Sequence, residues 1–376
     1  MYILIVSRGV PSDNDPLNGV FEFDQAKAIV SETEFKVIYI SLDFRSIRRK
    51  RRLGFYKYKK NDVEIYCLSL PIGPIYYKLF YFIGIWAVFF LFKKIKKKYG
   101  LPKVVHAHFT VYSGIASIIK KKYKIPFIIT EHSSLVTKSV LSKSTKFWVK
   151  KSYPFADTII AVSGSLSNNI LNKLNYKSIV INNVLDTKSF SFSPRTNRGK
   201  FQFVAVGNLV YGKGHDVLIN AFSKLKADNI VLKIIGGGPL KSELEKLISD
   251  LNLTNSVFLL GRLNRNQINA NFQESDAFVL ASRGETFGVS YIEAMATGLP
   301  VIATKCGGPE EFVNSENGCL VPIDNENSLF NAMNFIVENI ETFNKGKISS
   351  AIKEKYSPSY VSSQLSMIYR DLIEII

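Results

Sequence analysis

Short apolar runs alternate with longer segments of helical period along most of the chain. In the first half the runs are Tyr2–Ser7, Lys36–Ser41, Glu64–Leu70, Val104–His108, Phe127–Thr130, Thr158–Val162 and Ile179–Asn182. Helical stretches separate most of them, the first over roughly Phe21–Ser31. Near-continuous apolar runs predict strands buried on both faces, and their alternation with helices predicts a parallel sheet covered on both sides. Residues 182–200, NNVLDTKSFSFSPRTNRGK, interrupt the rhythm with polar and turn-forming residues and read as a linker. A second series then starts: FQFVAVG (201–207), IVLKIIGGG (230–238) with the helix PLKSELEKLISDL behind it, SVFLLG (256–261), and AFVLASRGETFGVSYIEAMATGLPVIA (277–303). The pattern predicts an α/β protein of two domains, at 1–190 and 198–355, followed by a helix at 356–376 that returns to the first domain.

The segment 277–303 reads as strand, turn, helix, turn, strand. Ser282-Arg283-Gly284 breaks the first strand, and the helix opens near Thr286–Gly288. Ile292, Met295 and Ala296 give it an apolar stripe, and Gly298 with Pro300 stops it before the strand Val301–Thr304. Glu285 in the turn and Glu293 on the helix are not required by local structure. A helix N-terminus carries unpaired N–H groups and about half a positive charge, which suits a phosphate. Carboxylates on either side of it accept hydrogen bonds from hydroxyls but repel phosphate. A ligand with both kinds of group, a sugar nucleotide, satisfies the layout, with Glu285 on the sugar and Glu293 on the ribose. Taken alone, the two acids also fit an ordinary N-terminal helix acid and a solvated helix residue.

Ile72–Phe92 stands apart. Its core, LFYFIGIWAVFFLF (79–92), has 14 uncharged residues, short of the roughly 20 that span a bilayer. Lys78 and the run KKIKKK (93–98) close it off. The segment predicts one long helix that buries one face in the core and offers the other to lipid, with a plain core helix as the alternative.

Charge changes the picture further. Residues 1–185 hold 30 Lys+Arg against 11 Asp+Glu, whereas residues 186–376 hold 19 against 20, within a net charge of +18. The sequence has no helix-turn-helix, zinc-finger or RNA-binding signature, so nucleic acid is not the expected partner. The basic runs RSIRRKRR (45–52), KKIKKK and KKK (120–122) border aromatic-rich sequence and suit an anionic membrane surface. Three widely spaced cysteines, Cys67, Cys306 and Cys319, argue against a disulfide framework and fit a reducing cytoplasm. The chain opens directly on a strand, so no signal peptide is expected.

Other candidates sit at strand ends, where parallel α/β sheets bind ligands. His132 follows a strand and can donate to a sugar oxygen or phosphate; His108 is a weaker candidate, and His106 reads as a packed core histidine. Gly19, opening a helix, lets backbone approach a ligand. Asp13-Asn14-Asp15 spells a D-x-D metal pattern but lies in a turn, so metal binding is not expected there. Ser163-Gly164-Ser165 reads as a helix start, either anion-friendly or simply capped by serine. Lys213 can offer charge to a diphosphate, Gly237 and Gly238 form either a phosphate-approach turn or a tight turn, and Arg262 is a fourth basic or glycine site at a strand end.

Taken in order, VVHAHF, TEHS, AVSGS, NNVLDTKSF, VGNLVYGKGHDVLINAF and GETFGVSYIEAMATGLPVIAT resemble the family-4 retaining glycosyltransferases of the GT-B fold. Glu285 and Glu293 supply that family's E-x7-E spacing. The resemblance implies two Rossmann-like domains facing across a cleft, no metal or other cofactor, and transfer of a hexose from a nucleoside-diphosphate sugar with retention. It implies Glu285 and the backbone of Phe287, Gly288 and Val289 on the donor sugar, Ser290 near the diphosphate and Glu293 on the ribose. Lys213 would hold the diphosphate and His132 would stand beside the reacting sugar. Relatives carry an arginine where this chain has Asn208, so Lys213 alone, or Arg262 or Arg283, would supply that charge. The expected acceptor is a lipid-linked saccharide of a bacterial surface polysaccharide, reached from the inner face of the plasma membrane. Alternatives are an inactive sugar-nucleotide binder, a membrane scaffold, or an epimerase or phosphorylase of the same fold.

Overall fold

The computed structural model describes residues 1–12, 15, 18–46, 48, 51–137, 140–193, 199–225 and 229–374. Its first elements are β1 (Tyr2–Ser7), α1 (Val20–Glu32), β2 (Lys36–Asp43), β3 (Gly54–Lys60), β4 (Val63–Ser69) and α2 (Tyr77–Tyr99). Then come β5 (Val104–His108), α3 (Thr110–Tyr123), β6 (Phe127–Glu131), α4 (Lys143–Ser152), β7 (Thr158–Ala161), α5 (Gly164–Leu174) and β8 (Ile179–Val180). The second series has β9 (Phe201–Val206), α6 (His215–Phe222), β10 (Ile230–Ile235), α7 (Lys241–Asp250), β11 (Val257–Gly261) and α8 (Arg265–Glu274). It continues through β12 (Ala277–Leu280), α9 (Val289–Ala296), β13 (Val301–Thr304), β14 (Gly318–Val321), α10 (Glu326–Asn339) and α11 (Lys345–Tyr356), and α12 (Pro358–Glu374) ends the chain.

Two compact units result: Met1–Val184 with Pro358–Ile376, and Leu185–Ser357. The first has an eight-stranded sheet in the order β3-β4-β2-β1-β5-β6-β7-β8, parallel except for β3. The core strands β1, β5 and β6 are buried along their whole length, as their continuous apolar sequence requires. One face is closed by α1 and by α12, whose Val361, Leu365 and Tyr369 join Ile3, Ile5, Phe23, Ile29 and Tyr39 in one core. The C-terminal helix α12 packs within the N-terminal unit. Tyr369 Oη also bonds His106 Nδ1 at 2.7 Å, and Thr130 Oγ1 holds Nε2 at 2.7 Å. His106 is a satisfied core residue.

The second unit is a six-stranded, wholly parallel sheet in the order β11-β10-β9-β12-β13-β14. This is the Rossmann order 3-2-1-4-5-6, and strand order reverses between β9 and β12. Connections after these two strands run to opposite sides, which opens a crevice at their carboxyl ends.

Two expectations change. The edge strand β3, GFYKYKK, does not stand out in sequence because it is half-exposed and lysine-rich, yet it pairs antiparallel with β4 from Gly54↔Ser69 to Lys60↔Val63. The apolar helix runs over Tyr77–Tyr99 rather than 72–92. Pro71 and Pro74 delay its start, and the lysines expected to end it are good helix formers that complement the negative end of its dipole. Gly100, at φ +76°, stops it.

Candidate functional site

In the second unit the loop after β9 meets the loop after β12. Gly214, at φ +62°, makes this possible: a Cβ there would lie 1.9 Å from the Ala281 carbonyl oxygen. The turn Tyr211–Lys213 is thereby pressed against the end of β12. Lys213 Nζ sits 2.5 Å from Glu285 Oε1, and Ser282 Oγ donates to the same oxygen at 2.7 Å. Backbone fixes Glu285 as well: its N–H donates to Cys306 O at 3.2 Å, and its carbonyl accepts from Gly308 N–H at 3.0 Å. The side chains are half-buried, 10% exposed for Glu285 and 25% for Lys213. Burial, with the nearby Glu285 carboxylate adding to it, pushes the Cys306 thiol up to about 11, so it is not a nucleophile at neutral pH.

The helix α9 begins just beyond. Gly288, at φ +102°, precedes it; among the described residues no side chain caps that end, and its first turn contains no acid. Its first two N–H groups, those of Val289 and Ser290, are available to an anion; the next, of Tyr291, donates to the Gly288 carbonyl at 3.1 Å. The Phe287 side chain is buried against Phe312 and Tyr356, at ring separations of 5.7 and 5.3 Å; only its backbone can serve a ligand. Glu293, with a side chain 12% exposed, lies 3.7 Å from an Arg265 guanidinium nitrogen, and Arg265 also reaches Asp186 at 3.3 Å. No motif marks Arg265 or Asp186, because they come to Glu293 from other segments; Ser282 reads in sequence only as a strand breaker, although it lies in the same turn as Glu285.

The remaining candidates separate. Asn208 and Arg262 are exposed in the loops after β9 and β11. A Cβ on Gly238 would come 2.2 Å from the Leu209 carbonyl oxygen, and one on Gly237 2.8 Å from Arg262 Nε. Close packing of neighbouring loops thus accounts for Gly238 without a ligand, while Gly237 makes room for Arg262. Arg283 is not a substitute for the missing arginine. It is clamped by Asp216 (2.7 and 3.0 Å), Asp324 (2.7 Å) and the Tyr211 carbonyl (2.6 Å).

The first unit has its own group at the ends of β1, β5 and β6. Gly19, at φ +74°, opens α1, and a Cβ would lie 2.3 Å from the Gly9 carbonyl oxygen. Glu22 accepts from Ser7 Oγ at 2.9 Å and Arg8 Nε at 3.0 Å, and the Arg8 guanidinium lies 4.4 Å from the Phe109 ring centre. Phe109 itself has φ +62° and ψ 140°, a conformation that costs a non-glycine residue about 1–3 kcal/mol. His132 is buried beside it, with Nε2 3.0 Å from His108 Nδ1. Burial holds His132 down at about 3, with repulsion from Arg8 and His106 adding to it, so the ring is neutral. Its Nδ1, His108 Nε2 and Glu22 Oε2 are buried and have no hydrogen-bond partner among the described residues. Glu131, next to His132, accepts from Thr110, His132 N–H, Ser133 N–H and Tyr153; it is a structural anchor that no motif in the sequence marks. Asp13 and Asn14 of the D-x-D pattern lie outside the described residues, and Asp15 pairs with Arg45. Among the described residues no group of three or more His, Cys, Asp or Glu is placed to hold a metal.

Two family models cover adjoining stretches of the chain: "Glycosyltransferase Family 4" over residues 23–189 and "Glycosyl transferases group 1" over residues 186–348. A glycosyltransferase of Methanocaldococcus jannaschii, itself uncharacterized, is 30% identical over 66% of this chain and 69% of its own length. The chain belongs to family 4 of the glycosyltransferases. This glycosyltransferase is also 34% identical, over 56% of its length, to the N-acetylgalactosamine-N,N'-diacetylbacillosaminyl-diphospho-undecaprenol 4-alpha-N-acetylgalactosaminyltransferase of Campylobacter jejuni, and spans 57% of that protein. It is 26% identical to the O-antigen chain mannosyltransferase C of Escherichia coli over 75% of the chain and 78% of the relative. Its fold is that of sucrose-phosphate synthase from Thermosynechococcus elongatus (TM-score 0.82, 18% identity, 100% of both chains). HepE of Anabaena, solved with UDP, shares it too (TM-score 0.76, 18% identity, 99% of this chain and 100% of that one).

Proposed function

We propose that this glycosyltransferase moves a hexose from a nucleoside-diphosphate sugar to a saccharide on a lipid diphosphate, retaining the anomeric configuration and using no metal. The observation that carries the donor half is the pairing of Lys213 with Glu285 in front of the uncapped start of α9. Breaking the glycosyl–phosphate bond leaves charge on the diphosphate. The ammonium of Lys213 and the N–H groups of residues 288–290 supply the compensating field, as an oxyanion hole does. Glu285, freed from Lys213 when the diphosphate takes that cation, accepts hydrogen bonds from sugar hydroxyls. Glu293 grips the ribose, with Arg265 orienting it. Front-face attack assisted by the leaving phosphate fits a carboxylate that ligates hydroxyls rather than attacks. The neutral imidazole of His132 is assigned to the sugar as a hydrogen-bonding group and not as a cation.

The acceptor half draws on the Campylobacter relative, whose name specifies a diphospho-undecaprenol-linked saccharide, and on α2. Tyr76 just before it, and Leu79, Phe82 and Trp86 on it, are 52–66% exposed and recur every three or four residues. Lys93, Lys94 and Lys97 continue toward its end. Among the described residues no helix is long and apolar enough to cross a membrane. The exposed aromatic face with its lysines is assigned here to an anionic bilayer surface on the cytoplasmic side. A panel of UDP-, GDP- and dTDP-sugars, screened for thermal stabilisation and acceptor-free hydrolysis, tests the donor. A donor stabilises the wild type and not Glu293→Ala; stabilisation by none of them would refute the reading. Phe82→Lys/Trp86→Lys abolishes sedimentation with phosphatidylglycerol vesicles if α2 is the membrane face.

A further inference from the structure

A polar cavity of about 390 Å³ lies in the first unit where β2 and β4 end beside the edge strand β3. Alternation along β3 builds one wall: Tyr56, Tyr58 and Lys60 share a face, whereas Phe55, Lys57 and Lys59 share the other, where Phe55 meets Phe90 of α2 at 5.8 Å. Arg45, Arg51 and Arg52 add to the lining, Asp43 is the carboxylate among them, and residues 10–12, Ser41 and Cys67 make up the rest. That carboxylate is already engaged, by Arg45 at 2.7 and 2.8 Å and by Arg51 at 3.3 Å. Arg51 further donates to Ser69 Oγ at 2.8 Å and to the carbonyls of Arg45 (2.7 Å) and Leu70 (2.8 Å), which fixes the loop rather than waiting for a ligand. The other cations are differently placed. Arg52 lies 4.8 Å from the Tyr56 ring centre, Lys60 Nζ donates to the Pro11 carbonyl at 2.8 Å, and among the described residues neither meets a carboxylate. Burial raises both tyrosine hydroxyls above their ordinary range, so they remain proton donors.

Arg45 and Arg51 are matched by Asp43 and Asp15; Arg52 and Lys60, with two phenol donors on the wall, remain as a receptor for a multiply charged oxyanion. The donor diphosphate is assigned above to Lys213 and the start of α9, in the other unit. We propose that it binds the diphosphate of the lipid-linked acceptor, with Arg52 and Lys60 as the cations that close on it and Tyr56 and Tyr58 as hydrogen-bond donors. This assignment rests on the acceptor reading above and locates it on named residues.

The test uses the full chain and farnesyl diphosphate as a soluble prenyl diphosphate, with binding followed by titration calorimetry. Arg52→Ala/Lys60→Ala weakens binding tenfold or more, whereas Lys57→Ala/Lys59→Ala, the same charge change on the opposite face of β3, leaves it within twofold. Farnesol does not bind. Equal losses in the two variants, or none in either, overturn the proposal. Inorganic diphosphate binding as tightly as farnesyl diphosphate, with the same dependence on Arg52 and Lys60, would make this a free-anion site and also overturn it. So would loss of phosphatidylglycerol vesicle binding in Arg52→Ala/Lys60→Ala with farnesyl diphosphate binding intact. Stabilisation by nucleotide sugar is measured on every variant: its retention shows that the donor reading stands even where the acceptor assignment fails.

Discussion

Lys213→Ala separates two roles that the structure combines in one side chain. At 2.5 Å and an effective dielectric near 20, the attraction between Lys213 and Glu285 is about 7 kcal/mol before desolvation. Desolvation cancels most of it, because Glu285 is 10% exposed. Deleting the lysine leaves a half-buried carboxylate held only by Ser282 and some water, at a cost of about 1–3 kcal/mol. The melting transition of the second unit should fall by roughly 3–10 °C. Glu285→Gln keeps the Ser282 contact and leaves a lysine exposed enough to hydrate, so it should cost about 1 kcal/mol or less. The double variant Lys213→Ala/Glu285→Gln should therefore regain most of the stability that Lys213→Ala loses. Turnover should behave differently. If Lys213 stabilises the leaving diphosphate, Lys213→Ala lowers kcat by about 100- to 1,000-fold, and removing the acid as well restores nothing. Calorimetry gives the first cycle and single-turnover donor cleavage the second. Recovery of turnover in the double variant, in parallel with stability, would show that Lys213 only holds Glu285 in place and would refute the electrostatic mechanism.

The other predictions follow from packing and titration. Gly214→Ala combines a positive φ with a 1.9 Å approach to the Ala281 carbonyl oxygen; it should part the two loops, destabilise by about 1–3 kcal/mol and weaken nucleotide-sugar binding, read by thermal shift. Tyr369→Phe leaves His106 Nδ1 without its partner and should cost about 1–3 kcal/mol in the unfolding of the first unit without altering stabilisation by donor. Burial holds His106 and His132 down at about 3 and His215 at about 4, from 6.5 when exposed. The unfolded chain therefore binds protons that the folded one refuses. Stability is full above pH 6.5 and declines as pH falls, by about 1.4 kcal/mol per histidine at pH 5.5; denaturant midpoints that rose between pH 7 and 5.5 would contradict this.

The parallel α/β architecture was legible because buried strands such as Tyr2–Ser7 and Val104–His108 are apolar throughout, and because a Rossmann unit needs no long-range information beyond that alternation. Edge strand β3 escaped notice for the complementary reason: solvent on one side permits GFYKYKK, which has no apolar run. The acids at 285 and 293 were visible through spacing within one strand-turn-helix segment. Their pairings were not: Lys213 reaches Glu285 through the crossing of the loops after β9 and β12, and Arg265, at the start of α8, bridges Glu293 to Asp186 before β9; no local pattern records such a meeting. The missing arginine at Asn208 shows the same limit in a sharper form. Sequence offered Arg283 as a replacement, yet Asp216 and Asp324 consume its guanidinium, so charge near a site is not charge available to it. The comparison that matters is between cations already neutralised and those with a weak or exchangeable partner. By that criterion Lys213 in the second unit, and Arg52 with Lys60 in the first, are the groups that an incoming phosphate can recruit: Lys213 trades one half-buried carboxylate for a doubly charged ligand, and the other two give up only a ring face and a carbonyl.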